Sequence, residues 1–130
     1  MPADFAAEVR RLAAAMRRDP RGPEIAARLE RFDAAVLLTG DDGRYIAANQ
    51  RAAQLTGYDL AELCALTVAD VTPVPYAADY RTLWRDFIAA GTQKGTYQLR
   101  RQDGSVVQVN YAAWANIVPG VHITVLTPLA

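Results

Sequence analysis

The amino-acid sequence predicts an α+β domain: a five-stranded antiparallel sheet with helices on one face, preceded by two N-terminal amphipathic helices. Three observations predict it. Apolar residues recur at helical spacing through residues 1–31. β-rich runs flank a helical middle, at residues 35–48 and again from residue 95 onward. The last third is cut into strands by Asp103-Gly104 and Pro119-Gly120, both strong turn signals.

In residues 1–18, Phe5, Val9, Leu12 and Met16 make a short a/d-type stripe, with Arg17 and Arg18 in the last turn where cations favour the helix dipole. Asp19-Pro20-Arg21-Gly22-Pro23 breaks the chain. Pro23 then suits the first turn of a second helix, whose apolar face is Ile25, Leu29 and Phe32. Helices this short are marginal alone and need a surface to pack on. A hairpin follows, with strands at 35–39 and 45–48 around Gly40-Asp41-Asp42-Gly43. Asn49 is placed as the N-cap of a helix that Gly57 ends. Asp59 with Glu62 reads as a capping box for a second short helix over 60–66. After the loop Thr72-Pro73-Val74-Pro75, the spacing predicts a long helix over 77–90 that carries Tyr80, Leu83, Trp84 and Phe87 on one side. Strands are expected at 95–101, 106–117 and 121–126.

Strand parity divides the side chains. Val107, Val109, Tyr111, Ala113 and Ala115 share one dry face, and Tyr97 with Leu99 belongs to it. Trp114 and Leu126 are read onto the opposite, mixed face, where the N-terminal helices are the available cover. His122 falls with them on that outer face, as a solvated or interface residue. Cys64 is read as a buried core thiol, and Asp41-Asp42 as a turn rather than a metal site.

Composition excludes several function classes. One hundred and thirty residues make one domain, and 52% hydrophobic with 22% charged residues is wrong for a disordered chain. Fourteen basic residues balance fourteen acidic ones, so the basic face of a nucleic-acid binder is missing. No apolar run, residues 34–38 included, is longer than five residues, too short for a membrane span, and Asp4 and Glu8 interrupt any signal peptide. One cysteine allows no disulfide within the chain. A cytoplasmic protein is expected, and twenty-five alanines with thirteen arginines against one lysine suggest a GC-rich bacterial source.

The element order β-β-α-α-α-β-β-β resembles the PAS sensory domain. Asp42-Gly43-Arg44-Tyr45-Ile46, then Ala48-Asn49, then Leu55-Thr56-Gly57-Tyr58 is similar to the family's "DG-x-I…N…LTGY" stretch. Arg100-Arg101-Gln102-Asp103-Gly104-Ser105 resembles its "RR-x-DGS" hairpin, and Ala115-Asn116 with Pro119-Gly120-Val121-His122 its final hairpin. The resemblance divides the chain into a helical extension over 1–31 and a PAS domain over 32–130. It implies a sensory or protein-interaction module in signal transduction, not an enzyme, with a pocket for a small apolar or aromatic ligand between the long helix and the inner sheet face. By position the pocket would draw on Thr39, Tyr80, Trp84, Phe87, Tyr97, Leu99, Val109, Tyr111 and Ala113. A homodimer through Phe5, Val9, Leu12, Met16 and Trp114 is expected, as is a separate signalling protein partner, because no effector follows in this chain.

The resemblance also bears on cofactors. The light-oxygen-voltage branch presents a cysteine to flavin in an Asn-Cys-Arg-Phe motif, and Thr67-Val68-Ala69-Asp70 stands in its place here. A covalent flavin adduct is therefore not expected. Haem-binding members commonly use a histidine on the long helix; residues 77–90 contain none, and the only histidine, His122, is read onto the outer face, so haem is not expected. Two alternatives stand beside the sensor. One is a structural dimerisation unit whose core the aromatics fill. The other is a small enzyme like ketosteroid isomerase, which would need Tyr residues with Asp70 or Asp79 as its acid–base pair.

Overall fold

The computed structural model describes residues 5–19, 22–71 and 80–128. Helix α1 spans Phe5–Arg18 and α2 spans Pro23–Glu30, with Pro23 at the start of α2 where its missing N–H costs nothing. Then come β1 (Ala35–Gly40), β2 (Tyr45–Ala48), α3 (Gln50–Thr56) and α4 (Leu60–Leu63). A 3₁₀ turn at Val68–Val71 precedes α5 (Tyr80–Ala90) and the strands β3 (Thr92–Arg100), β4 (Val106–Val118) and β5 (Val121–Pro128). The Thr72–Pro75 loop and the start of the expected long helix lie outside the described residues.

The five strands form one sheet in the order β2-β1-β5-β4-β3, antiparallel throughout. Directly paired residues share a face, so the register sorts the side chains. Leu37 pairs with Thr124 and Thr39 with His122, while β4 pairs Tyr111 with Leu126 and Ala113 with Thr124. These residues make the inner face, under α5. Trp114 pairs with Ile123 and belongs to the outer face with Val36, Leu38 and Val125. Both Leu126 and His122 therefore sit on the inner face, not beside Trp114 as parity had put them. Between Trp114 and Val118 the β4 strand advances four residues while β5 advances only from Val121 to Ile123. The bulge centres on Asn116, whose φ of 52° is left-handed.

The N-terminal helices cover the outer face. Val9, Leu12 and Met16 are buried against Leu29, Phe32, Val36, Leu38, Ile123 and Val125, with Phe5 and Trp114 packed on the margin. Leu12 is fully buried in this layer, and a side chain of its size contributes about 2 kcal/mol of transfer free energy there. The stripe assigned to a subunit contact is thus occupied within the single chain, because α1 needs an apolar partner and its own sheet offers one.

A buried asparagine ties this extension to the domain. Asn49 Oδ1 accepts from the N–H groups of Ala52 and Val36, both at 3.0 Å. Its Nδ2 donates to the carbonyls of Leu29 at 2.9 Å and Ala34 at 2.8 Å. The expected helix cap is present, and the same side chain also closes the end of α2 and the entry to β1.

The capping box at Asp59 and Glu62 forms in both directions, yet α4 ends at Leu63 and the chain turns. Cys64 is exposed, contrary to the core position expected for it. Leu63, one residue earlier, is the fully buried side chain that points inward.

Candidate functional site

Between α5 and the inner face lies a cleft of about 390 Å³, within the ~300–1,000 Å³ usual for small-molecule sites. Leu37, Val68, Leu99, Ala113 and Leu126 supply its aliphatic wall. Five aromatic side chains line it as well: Tyr45, Trp84, Phe87, Tyr97 and Tyr111. Gln93 and Thr124 bring neutral polar groups on the inner face, and Thr96, Gln98 and Gln108 border it. Leu83 lines the cleft too, although 55% of it is exposed. None of the described lining residues carries a formal charge.

Helix α5 is fastened over the sheet by three rings. Trp84 and Phe87 meet edge to face with centroids 5.7 Å apart, and each meets the His122 ring, at 5.4 and 6.1 Å. Such contacts add about 0.5–1.5 kcal/mol each beyond the area they bury. His122 is 0% exposed and is not a solvated strand residue. Its Nδ1 accepts the Asn116 N–H at 2.9 Å, and its Nε2 lies 2.8 Å from Asp41 Oδ1. With Nδ1 an acceptor, the proton of a neutral ring sits on Nε2 and is donated to Asp41. The imidazole thus joins the β1–β2 turn, the β4 bulge and α5 in one contact.

The cleft's phenols sit in a medium that disfavours charge. Burial, with the neighbouring Tyr97 phenol and the Asp70 carboxylate, raises the Tyr45 hydroxyl well above its ordinary value of 10.0. Partial burial raises Tyr111 as well. Tyr97 and Tyr111 meet edge to face at 6.3 Å. The Tyr111 hydroxyl donates to Gln93 Oε1 at 3.0 Å, reaching across from β4 to β3.

Of the residues expected to line a pocket, Trp84, Phe87, Tyr97, Leu99, Tyr111 and Ala113 stand on this wall. Val109, paired with Tyr97 on the same face, is fully buried in the cluster with Leu99 and Leu126 and does not line the cleft. Thr39 is on the same face but packed against its neighbours, and its buried Oγ1 has no hydrogen-bond partner. The Tyr80 side chain, like Asp79, lies outside the described residues. Asp70 is exposed, and its Oδ2 accepts from the Thr67 N–H at 2.8 Å, which caps the 3₁₀ turn.

Reasoning from sequence missed Tyr45, Gln93, Thr124 and Leu126. Gln93 is two steps of strand alternation before Tyr97 through Gly95, and it appears once β3 is started at Thr92. Thr124 and Leu126 follow from the pairing of β5 with β4. Tyr45 has no comparable signal, because the register of β1 and β2 shifts between Leu38 and Thr39.

A family model described as the PAS fold matches residues 29–127, which is most of the chain. The chain belongs to the PAS fold family. No curated protein matches it. Among solved structures, it is similar to the PAS domain of an HTR-like protein from Haloarcula marismortui, at 20% identity and a TM-score of 0.70, over 89% of this chain and 98% of that one. A PAS domain from Desulfitobacterium hafniense gives 17% identity and a TM-score of 0.70, over 78% and 97%. The Rhodobacter sphaeroides LOV protein aligns over 100% of this chain and 69% of its own, at 13% identity and a TM-score of 0.66.

Proposed function

We propose that this protein is a sensory and interaction module in signal transduction, which takes up a small ligand in the cleft beneath α5 and reports it to a separate protein partner. The open cleft supports this reading over a filled structural core. Its wall is aromatic and aliphatic with a few neutral polar groups, the usual makeup of a small-molecule site. Trp84 and Phe87 contribute to both the cleft and the His122 contact, so a ligand that displaces either ring changes how α5 is held. Zero net charge favours a protein partner over nucleic acid.

No described helix is long and apolar enough to cross a membrane, and a cytoplasmic location is part of the proposal. So is a homodimer. Because the α1 stripe is spent on its own sheet, a dimer uses other surface or exchanges α1 between copies.

Absorption from 300 to 700 nm on freshly purified protein, followed by native mass spectrometry, tests the reading. An added mass that departs on denaturation is expected. A clean apoprotein that also takes up no small aromatic compound would return the filled-core module to first place. A coloured species would overturn the expectation against haem and a covalent flavin adduct.

A further inference from the structure

We propose that the cleft selects an uncharged aromatic molecule bearing a carbonyl-type acceptor, with Gln93 as the hydrogen-bond donor that anchors it and Tyr111 and Gly95 as the residues that aim Gln93. This rests on the ligand-binding reading of the same cleft.

The first argument is charge. The described lining offers neither a cation to meet a carboxylate or phosphate nor an acid to meet an ammonium. Arg100, at the end of β3, spends its guanidinium on the Asp70 carbonyl at 2.8 Å. An ion entering a low-dielectric site without a partner carries its full desolvation cost. The protein's own phenols register that cost, since burial holds both Tyr45 and Tyr111 more firmly in the neutral form. A ligand anion would meet the same penalty.

The second argument is the placement of Gln93. Gly95 pairs directly with Tyr111, and a Cβ at Gly95 would stand 3.2 Å from Tyr111 Cε1 and 3.4 Å from its hydroxyl. The missing side chain therefore lets the phenol lie close along β3 and reach Gln93. There the hydroxyl occupies Oε1, which leaves the Gln93 NH₂ as the group offered to the cleft. The residue paired with Gln93 is Ala113, whose methyl leaves the approach open. A carbonyl or ring-nitrogen acceptor completes this arrangement, and a second donor does not. The aromatic walls favour a ring system on the rest of the molecule.

Matched probes on the full chain test this at pH 7 by isothermal titration calorimetry and amide NMR shifts. They are quinolin-2-one (neutral, with a carbonyl), quinoline-2-carboxylate, quinolin-2-ylmethylammonium, and naphthalene. Quinolin-2-one is expected to bind best and to shift Gln93, Tyr111 and Ala113, with both ions at least tenfold weaker. Gln93→Leu should reduce the preference for quinolin-2-one over naphthalene about tenfold, as expected for one neutral hydrogen bond. Tyr111→Phe should reduce it about threefold. Gln93→Glu, which keeps the size, should turn the preference toward the ammonium probe. Equal binding of either ion, or a Gln93→Leu preference unchanged from the parent, overturns the inference and leaves the ligand cleft standing. If none of the four binds a variant-free, folded chain, the inference and the ligand-binding reading fall together.

Discussion

Replacing Asn49 with alanine should cost far more than the loss of a helix cap. The side chain makes four hydrogen bonds and is 0% exposed. After truncation, Ala52 N–H keeps the Asn49 carbonyl at 3.1 Å and the Leu29 carbonyl keeps the Phe32 N–H at 3.4 Å. Val36 N–H fares worse. Its own carbonyl accepts from Asn49 N–H, so its amide faces the β2 edge as well, where the paired residues stop at Ala48 and the Asn49 carbonyl is already taken by Ala52 N–H. Two buried backbone groups lose a partner at roughly 1–3 kcal/mol each, and two further bonds are lost at about 0.5–1.5 each. Toward the lower end of each range this sums to about 4 kcal/mol, a large share of the ~5–15 kcal/mol that holds a domain folded. Urea unfolding followed by circular dichroism at 222 nm measures it, read from the midpoint at unchanged slope. In a chain of this length the melting temperature should fall by about 15 °C. Asn49→Asp should lose at least as much at neutral pH, since it sets carboxylate oxygen against the Leu29 and Ala34 carbonyls. A loss near 1 kcal/mol for alanine, the value of an ordinary cap, would refute the idea that this side chain joins the helical extension to the sheet.

Further outcomes follow from the packing. Leu12→Ala should destabilise the protein by about 3 kcal/mol while leaving the light-scattering mass as in the parent, because the side chain serves the chain's own outer core; a changed mass would point to a subunit contact instead. His122→Ala removes the ring that Trp84 and Phe87 pack on, so hydrogen exchange in α5 should accelerate more than in β4 or β5, and uniform acceleration would count against a local anchor. Tyr45 predicts a pH dependence. Its folded-state pKa lies above the unfolded value, so the folded state retains a proton that the unfolded chain releases above about pH 10; stability is intact below that pH and falls as pH rises through it. Tyr45→Phe should shrink this decline between pH 8 and pH 11 in urea melts, and an undiminished decline would assign it to other groups.

Much of the fold is legible in local chemistry. Asn49, Asp59 with Glu62, Gly57 and Asp103-Gly104 each act within a few residues, and the structure places caps and turns where they indicate them. The stripe Phe5, Val9, Leu12, Met16 likewise announces a helix with one apolar face. It does not announce what that face meets. Cys64 and Leu63 differ by one residue at the end of a four-residue helix, too short for periodicity to say which is buried.

The site was half legible for the same reason. Trp84, Phe87, Tyr97 and Tyr111 could be assigned to one face because strand and helix periods run unbroken through them. His122, Thr124 and Leu126 could not, since their face depends on which β4 residues they pair with, across a bulge that no local signal measures. The elements, their order, the neutral charge and the aromatic supply are all readable along the chain. Strand pairing and packing had to place α1 over its own sheet, His122 beneath α5, and Tyr111 past Gly95 toward Gln93. Caps and periods are set by neighbours along the chain, whereas a face, a cover and a cleft are set by which strands pair and how far each is shifted.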